Sequence, residues 1–408
     1  MAKKNNLSPP LFTTSILILF YFFFPTTHSS TTINPTDLAA LRRIRDSLTE
    51  IPSAVASFFS TWNFSSDPCS SFAGVTCSPI SGHVTTLSLG TGLSDSPGLA
   101  GTLSPAIAQL SELTQLILFA GIVTGPIPLH LGSLRNLKVI SLTNNRLTGE
   151  IPIEIFRLPS LHTIDLSRNQ LSGTIPPAMP AMNQLKVVVL ASNKLSGRIP
   201  RVFPDQIFHL DLSNNFFSGE LPWRMPVALR YLSVANNRMW GSIDGLDPLQ
   251  ELAYVDLSVN EFSGPIPGSL FRPSVTSMLL QRNNFTGRVP QSPPWPCSTV
   301  DLSHNSLTGE LSAALAGAET LFLNNNRLNG VVPNDYVESV KRATMRTLYL
   351  QHNYLTGFPM DAGSTLPDTA AVCVSYNCMV APPVGLAACP ASAGEQLSRP
   401  ADQCSVFH

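Results

Sequence analysis

Apolar residues recur along this chain in short units that each contain a period of two. In the segment 134–152 they fall at Leu137, Ile140 and Leu142, and the residues between them are expected to point outward. The alternation at the last two positions predicts a short strand with one buried face. Asn145 follows where the chain must leave the strand. Its amide can bond backbone groups that would otherwise be buried unpaired.

The same unit recurs along most of the chain. Segments 158–176 and 182–200 repeat segment 134–152 with the apolar positions aligned. Ten asparagines mark successive copies at intervals of 21–27 residues: Asn145, Asn169, Asn193, Asn215, Asn237, Asn260, Asn283, Asn305, Asn326 and Asn353. A period of 20–29 residues with L-x-x-L-x-L-x-x-N is the signature of leucine-rich repeats. The sequence therefore predicts a solenoid of stacked repeats.

Two weaker units precede this series and have glycine, Gly92 or Gly121, in place of the asparagine. We therefore expect twelve repeats. Because neighbouring parallel strands lie about 4.8 Å apart, twelve strands form an inner arc on the order of 50 Å. A surface of that size suits a protein, a peptide or an oligosaccharide. It favours recognition over catalysis, because a solenoid offers an open surface and no enclosed pocket.

A second motif, L-x-G-x-I-P, follows the asparagine, as in Leu147–Pro152, Leu171–Pro176 and Leu195–Pro200. With it the chain resembles, over roughly residues 36–360, the plant-specific leucine-rich repeat family. Members include receptor-kinase ectodomains, receptor-like proteins and polygalacturonase-inhibiting proteins. The resemblance implies an α/β solenoid, a plant-type superhelix with a parallel concave sheet and disulfide caps at both ends. It says less about the ligand, because one scaffold serves many functions.

The domain organisation follows from the repeat and the chain ends. We expect a signal peptide at 1–30, an N-terminal cap at 31–83, about twelve repeats at 84–365 and a Cys-rich C-terminal cap at 366–408. The signal peptide is predicted from two lysines, an apolar run at residues 11–24 and small polar residues after it. The alternative is an uncleaved signal anchor, although the run is short for a span of about 20 residues. We therefore expect a mature chain secreted to the extracellular space or cell wall.

The N-terminal cap is predicted from a helical pattern and a cysteine pair. Leu38, Leu41, Ile44 and Leu48 share one helical face, and Thr36 is the expected N-cap. Trp62 and Gly74-Val75-Thr76-Cys77 resemble the caps of plant extracellular repeat proteins, with Phe72 in the aromatic position. In a secreted chain this resemblance implies a disulfide between Cys69 and Cys77.

The other five cysteines divide into two groups. Cys297 falls at the first inward position of its repeat, so we expect a small buried side chain with an unreactive thiol. Four cysteines follow the last repeat and are expected to form two disulfides: Cys373, Cys378, Cys389 and Cys404. Four cysteines allow three pairings, and the sequence leaves all three open. The acceptor triplets that begin at Asn63 and Asn284 predict N-glycosylation.

Composition and motifs exclude several kinds of function. The 25 Lys and Arg nearly balance the 26 Asp and Glu, so no nucleic-acid partner is expected. Nothing after residue 36 resembles a transmembrane helix, so direct membrane insertion of the mature chain is not expected either. No phosphate loop, nucleophile elbow or kinase segment is present. Four aspartates recur between inward leucines and could suggest catalytic carboxylates: Asp165, Asp211, Asp256 and Asp301. The sequence L-D-L-S is common in this repeat, however, and does not indicate catalysis. We therefore expect no enzyme, no cofactor and no metal site.

Outward residues in the middle of the array form the predicted ligand-binding site. His209, Tyr231 and Tyr254 occupy the same place on three successive strands. The neighbouring residues Lys186, Phe208 and Arg230 complete the site. Tyr and Arg dominate binding hot spots, and rings one strand apart suit an extended peptide or a sugar. The alternative is that the rings only stack on one another and shield the sheet.

A second candidate surface contains Phe322 and Tyr349 near the C-terminal end. We expect this apolar patch to dock the C-terminal cap rather than a partner.

The sequence thus predicts a secreted, non-catalytic recognition protein of plant extracellular signalling or defence. Its partner would be an extracellular protein, a peptide, a receptor ectodomain or a cell-wall glycan. With no kinase segment and no membrane span after residue 36, signalling would need a partner such as a membrane receptor kinase. The alternative function is a secreted inhibitor of a cell-wall hydrolase such as a polygalacturonase.

Overall fold

Parallel strands stacked repeat upon repeat make up this chain, which confirms the predicted leucine-rich repeat solenoid. The computed structural model describes residues 32–51, 57–91, 98–292, 295–360, 365–380, 389–394 and 398–404. The signal peptide expected at residues 1–30 lies outside these ranges.

The longest element is a 14-stranded sheet, called here the concave sheet, to which every described repeat contributes one strand. Its first strand pairs antiparallel with the second, and all later pairs are parallel. Its strands are Val75–Cys77, Val84–Leu89, Gln115–Leu118, Val139–Ser141, Thr163–Asp165, Val187–Val189, His209–Asp211, Tyr231–Ser233, Tyr254–Asp256, Ser277–Leu279, Cys297–Asp301, Ala318–Phe322, Thr347–Tyr349 and Ala371–Cys373.

Two shorter sheets, together called the flanking sheet, are formed mainly by the segment that follows the asparagine position of each repeat. The first has five strands, Leu48–Glu50, Leu99–Thr102, Ile122–Pro126, Arg146–Glu150 and Gln170–Ser172. The second has eight, Ser196–Arg198, Phe216–Gly219, Arg238–Gly241, Glu261–Gly264, Asn284–Gly287, Ser306–Glu310, Arg327–Val331 and Tyr354–Gly357. Apart from Leu48–Glu50, which belongs to the N-terminal cap and pairs antiparallel with Leu99–Thr102, these strands overlap the L-x-G part of the repeat motif.

The glycine of this motif has a backbone conformation that other residues rarely adopt. Gly173 has φ 80°, a region that side chains with a Cβ rarely adopt. A Cβ at Gly173 would also lie 2.8 Å from Cγ of Glu150, whose side chain crosses from the preceding repeat.

Helices connect or cap the strands. The α-helices are Pro35–Asp46, Pro68–Ser71, Asn334–Lys341 and Ala401–Cys404. The 3-10 turns are Phe58–Thr61, Pro105–Gln109, Leu129–Ser133, Ile153–Arg157, Met179–Ala181, Asp244–Leu246, Gly268–Leu270, Ala313–Gly317 and Ala391–Ala393. The helix Asn334–Lys341 falls in the longest interval, between Asn326 and Asn353, and accounts for its extra length. It buries Tyr336, whose hydroxyl donates to the carbonyl of Ser312 at 2.7 Å.

The inward apolar positions form one continuous core. Leu137, Ile140 and Leu142 are fully buried, as their counterparts are in the other repeats. Burying such a side chain contributes about 1.5–3 kcal/mol. Because each repeat packs only on its neighbours, the core extends along the solenoid as a column.

The marker asparagines bond buried backbone groups, as the sequence predicts, and these bonds also join neighbouring repeats. The amide nitrogen of Asn193 donates to the carbonyl of Leu166 in the preceding repeat at 3.0 Å, and to Leu190 at 3.1 Å. Its carbonyl oxygen accepts from the backbone N–H of Leu171 at 3.0 Å. One buried side chain thereby satisfies polar backbone groups in two repeats.

The asparagine series extends beyond the ten predicted members. Asn377 donates to the carbonyls of Leu350 and Val374, both at 3.0 Å, and accepts from the N–H of Leu355 at 2.9 Å. The strand before it, Ala371–Cys373, pairs in parallel with Thr347–Tyr349. The repeat pattern therefore continues into segment 366–408, which the sequence assigns to the cap.

The N-terminal helix is attached to the first repeat through a buried carboxylate. Asp37 is fully buried and accepts from the backbone N–H of Val84 at 2.7 Å. It also lies 3.2 Å from the imidazole of His83. The predicted N-cap Thr36 is wrong, because the helix begins at Pro35 and the side chain of Asn34 accepts from the N–H of Thr36. Proline is favoured at the first helical position, so the cap is the residue before Pro35, two residues earlier than predicted. Leu48, predicted on the same helical face, lies beyond the helix in the strand Leu48–Glu50.

The cysteine pairing agrees with the sequence analysis and chooses among the pairings that it left open. Cys69 and Cys77 are bridged. Of the three open pairings at the C-terminal end, the structure has Cys373 with Cys389 and Cys378 with Cys404. Cys297 is unpaired and 8% exposed at its inward position, and burial raises the pKa of its thiol to about 11.

Replacing Asn193 with alanine tests the asparagine series. We expect the free energy of unfolding to fall by about 2–4 kcal/mol, since each abandoned buried backbone group costs about 1–3 kcal/mol. Lys194→Ala, at the exposed next position, should change it by no more than about 0.5 kcal/mol. Denaturant unfolding measures both variants, and equal losses would mean that the asparagine is not a structural link.

The thiol of Cys297 should be unreactive in the folded protein. A raised pKa and burial leave little accessible thiolate at neutral pH, so a bulky thiol reagent should label it only after denaturation. Ser298→Cys, at the exposed neighbouring position, should be labelled at once. Fast labelling of native Cys297, followed by mass spectrometry, would show that this position is not inward.

Candidate functional site

Three aromatic rings form a stacked row on the concave sheet at the predicted ligand-binding site. His209 pairs in register with Tyr231, and Tyr231 with Tyr254. The ring centroids of His209 and Tyr231 are 4.2 Å apart with planes 6° from parallel. Those of Tyr231 and Tyr254 are 4.5 Å apart and 3° from parallel. We call these residues the ring row.

The stacking decides which ring surfaces a ligand can reach. Tyr231 has a neighbouring ring on each face, so its edge and hydroxyl are what it can present. Val187 lies beside His209 in register and is buried. Beyond Tyr254 the row continues with the small residue Ser277, so that face of Tyr254 has no ring against it. The predicted self-stacking is therefore real, and it leaves ring edges, hydroxyls and one ring face for contact.

Aspartates, together called the aspartate row, lie on alternate strands beside the ring row. Two of them follow His209 and Tyr254 by two residues, and Ser233 holds this place on the strand of Tyr231. Asp211 accepts from the N–H of Ser213 at 3.0 Å and from its hydroxyl at 2.7 Å. Asp256 bonds Ser258 in the same way, at 3.0 and 2.6 Å. Asp165 and Asp301 also accept from the N–H of a serine two positions later. The Asp-x-Ser spacing is thus a turn-closing contact, a role that the sequence analysis did not assign to the serines.

Burial changes the protonation equilibria of this surface. It raises the pKa of Asp256, while hydrogen bonds from Ser258 oppose the change. It also raises the pKa of Tyr231 and of Tyr254 above the ordinary tyrosine value, with the nearby carboxylates adding to the effect. Burial lowers the pKa of His209, against a smaller opposing effect of Asp211. At neutral pH the ring row is therefore uncharged.

The other predicted site residues lie along the exposed edge of the same strands. Lys186, Phe208 and Arg230 immediately precede Val187, His209 and Tyr231, and all three are exposed. Phe208 keeps 40% of its surface accessible, so its ring is open to a partner. Arg230 lies 3.4 Å from Glu251, and both ends of this ion pair are exposed. The structure thus brings all six predicted residues onto one surface, although it does not test their role.

The second candidate surface also has an aromatic pair. Phe322 and Tyr349 are in register, with ring centroids 5.2 Å apart in an edge-to-face arrangement. The next residue in this row is Cys373, which is bridged to Cys389 of the C-terminal segment. The cap therefore adjoins this pair directly, as its predicted docking role requires.

Metal binding finds no support in the described part of the chain. Among those residues, no group of three or more His, Cys, Asp or Glu is placed to hold a metal ion. Nor does any helix there have the length and apolar character needed to cross a membrane.

Comparisons with protein families agree with this geometry. Residues 34–78 match the leucine rich repeat N-terminal domain, and residues 135–178 and 206–226 match leucine rich repeats. None of the three is an enzyme family. Together with the fold, these matches show that the chain has a leucine rich repeat N-terminal domain followed by a solenoid of leucine rich repeats.

Individual relatives are proteins of Arabidopsis thaliana. The chain is 34% identical to the DNA damage-repair/toleration protein DRT100 over 28% of this chain and 32% of that protein. It is 32% identical to Receptor-like protein 18 over 26% of this chain and 13% of that protein. The matched region therefore spans a third or less of each relative's length.

Among solved structures, the chain is similar to that of PEPR1–AtPEP1. The TM-score is 0.64 at 25% identity, and the match covers 84% of this chain and 52% of that chain.

The stability of the ring row should depend on pH through His209. Its pKa is lowered by folding, so the unfolded chain binds more protons below about pH 6.5 and stability falls as the pH drops. The phenylalanine variant His209→Phe keeps a ring but cannot titrate. Between pH 7.5 and 5.5, wild type should therefore lose stability relative to His209→Phe, by under about 1.4 kcal/mol per pH unit. If denaturant unfolding shows the same pH dependence of stability for wild type and His209→Phe, this prediction is wrong.

Proposed function

We propose that this chain is a secreted, non-catalytic recognition protein that binds an extracellular peptide, or an extended segment of a receptor ectodomain, on the ring row. The observation that carries the proposal is the uninterrupted stack of His209, Tyr231 and Tyr254, with exposed Phe208 and Arg230 beside it. A fixed stack costs little further side-chain entropy on binding, which is why rigid aromatic groups make good contact surfaces.

The geometry of the stack favours a peptide over a sugar. Carbohydrates pack on ring faces, but the two contacts within the row cover most of these faces. The edges and hydroxyls that remain suit hydrogen bonds and apolar contacts to an extended chain crossing the strands. A cell-wall glycan is thus the less supported ligand for this surface.

The aspartate row adds a chemical preference. Asp211 and Asp256 flank the position of Ser233, which is small and buried. Their carboxylates influence the titration of Tyr231 and Tyr254, so they lie within electrostatic reach of the ring row. A ligand with amide or cationic donors would complement these acceptors. We therefore propose a peptide that presents a Lys, an Arg or backbone N–H groups to this surface.

The relatives support the class of partner. The structurally similar PEPR1 is seen together with AtPEP1, and part of the chain is 32% identical to Receptor-like protein 18. On this proposal the chain acts in plant extracellular signalling or defence, together with a membrane receptor kinase.

The test is to remove single rings and measure binding. Secreted wild-type protein would be screened against apoplastic peptide fractions, and the affinity for an identified peptide measured by calorimetry. Tyr231→Ala and Tyr254→Ala should each cost about 1–3 kcal/mol of binding free energy, as aromatic hot spots do. Thr347→Ala, in the same row but four or more strands away, should cost nothing measurable.

Folding must be measured alongside binding. Outward residues are not part of the leucine core, so both tyrosine variants should unfold near the wild-type midpoint. Leu232→Ala, at the neighbouring inward position, should lose about 2–5 kcal/mol of stability. Tyrosine variants that fold and bind normally would exclude the ring row as the site, and Phe322 and Tyr349 would become the alternative.

A further inference from the structure

Two large aromatic side chains lie exposed on the flanking sheet, away from the ring row. Phe216 and Trp240 keep 45% and 41% of their surface accessible. The guanidinium of Arg238 lies 5.3 Å from the Phe216 ring. Alternation along the strand Arg238–Gly241 places Arg238 and Trp240 on the same outward face, because Met239 between them is fully buried. We call Phe216, Arg238 and Trp240 the aromatic track.

An expected glycosylation site shares this face. In the strand Asn284–Gly287, Asn284 and Thr286 are exposed, while Phe285 between them is buried. The intervening strand, Glu261–Gly264, presents Glu261 and Ser263 outward. Asn284 and the aromatic track therefore project from one continuous surface.

The strand register gives the separation of Asn284 from Trp240. Trp240 pairs with Glu261, and Ser263 pairs with Asn284. Two strand spacings across the sheet and two residues along it amount to about 12 Å. On the intervening strand, Glu261 lies beside Trp240 and the small Ser263 lies beside Asn284. The first few sugars of an N-linked glycan span such a distance.

We infer that an N-linked glycan on Asn284 lies back along the flanking sheet and packs a sugar ring on Trp240. The apolar face of a pyranose ring stacks on an indole face, and its hydroxyl groups remain in solvent. The guanidinium of Arg238 and the carboxylate of Glu261 provide polar partners beside the stack. The glycan thereby covers an apolar surface that would otherwise face water.

This inference depends on the secretion included in the proposed function but not on the ligand. The strand Asn284–Gly287 belongs to the flanking sheet and the ring row to the concave sheet. Loss of peptide binding in tyrosine variants would therefore leave it unaffected. Site occupancy is measured first, by glycopeptide mapping of protein secreted from plant cells. If Asn63 carries a glycan and Asn284 does not, the inference is wrong while secretion stands.

Tryptophan fluorescence can report the packing directly. The chain has four tryptophans, of which Trp62 and Trp295 are buried and Trp223 is 78% exposed. In a Trp223→Phe variant, Trp240 is therefore the tryptophan that acrylamide can reach. Acrylamide should quench it roughly twofold less in the glycosylated protein than in the Asn284→Gln variant, because a stacked sugar covers one of the two ring faces.

A matched control separates the glycan from the substitution. Thr286→Ser keeps the acceptor triplet and should retain the protection of Trp240, whereas Thr286→Ala should lose it together with the glycan. If Asn284→Gln is not secreted, treating the folded wild-type protein with a peptide N-glycosidase provides the same comparison. Equal quenching with and without a mapped glycan on Asn284 would overturn the inference.

Discussion

The hydrogen bonds of the repeated asparagines are the constraint on which the rest of this molecule depends. A strand of three to six residues followed by a turn cannot satisfy its own backbone, and the turn lies against the core. Each asparagine bonds carbonyls of its own turn and of the preceding repeat, as Asn193 does with Leu190 and Leu166. Neighbouring repeats are thereby held at a fixed spacing. That spacing places the outward residues of successive strands in rows, and the stacked rings of His209, Tyr231 and Tyr254 are one such row.

The fold could be predicted from the sequence because the residues that indicate it are close together in the chain and recur in every repeat. The inward leucines, the asparagines and the glycine of L-x-G-x-I-P each recur with nearly constant spacing, so one repeat predicts the next. Where a feature occurs once, prediction was weaker. The buried contact of Asp37 with Val84 joins residues 47 positions apart, and nothing in the local pattern signals it. Similarly, Asn377 lacks the preceding leucines that mark its counterparts, because Ala371, Val372 and Cys373 form that strand.

The candidate site was predictable in position but not in chemistry. Counting from the inward leucines places six side chains on one surface, and the structure agrees. Ring orientation cannot be read from such counting, and it matters because face-to-face stacking leaves edges for a ligand. Likewise, the bonds between Asp211 and Ser213 and between Asp256 and Ser258 arise from turn geometry.

The pairing of the four C-terminal cysteines depends on how the last repeat ends, which composition does not determine. Inhibition of a cell-wall hydrolase stays a prediction.

The central claim, that the ring row is the contact surface, is tested most directly by photo-crosslinking from defined positions. A photoreactive phenylalanine at position 254 lies at the open end of the ring row, and one at position 349 lies beside the C-terminal cap. Each protein would be irradiated with apoplastic peptide fractions and the adducts sequenced. We predict one recurrent peptide adduct from position 254 that excess unmodified protein suppresses, and none of that sequence from position 349. The same peptide captured from position 349 and not from 254 would contradict this account.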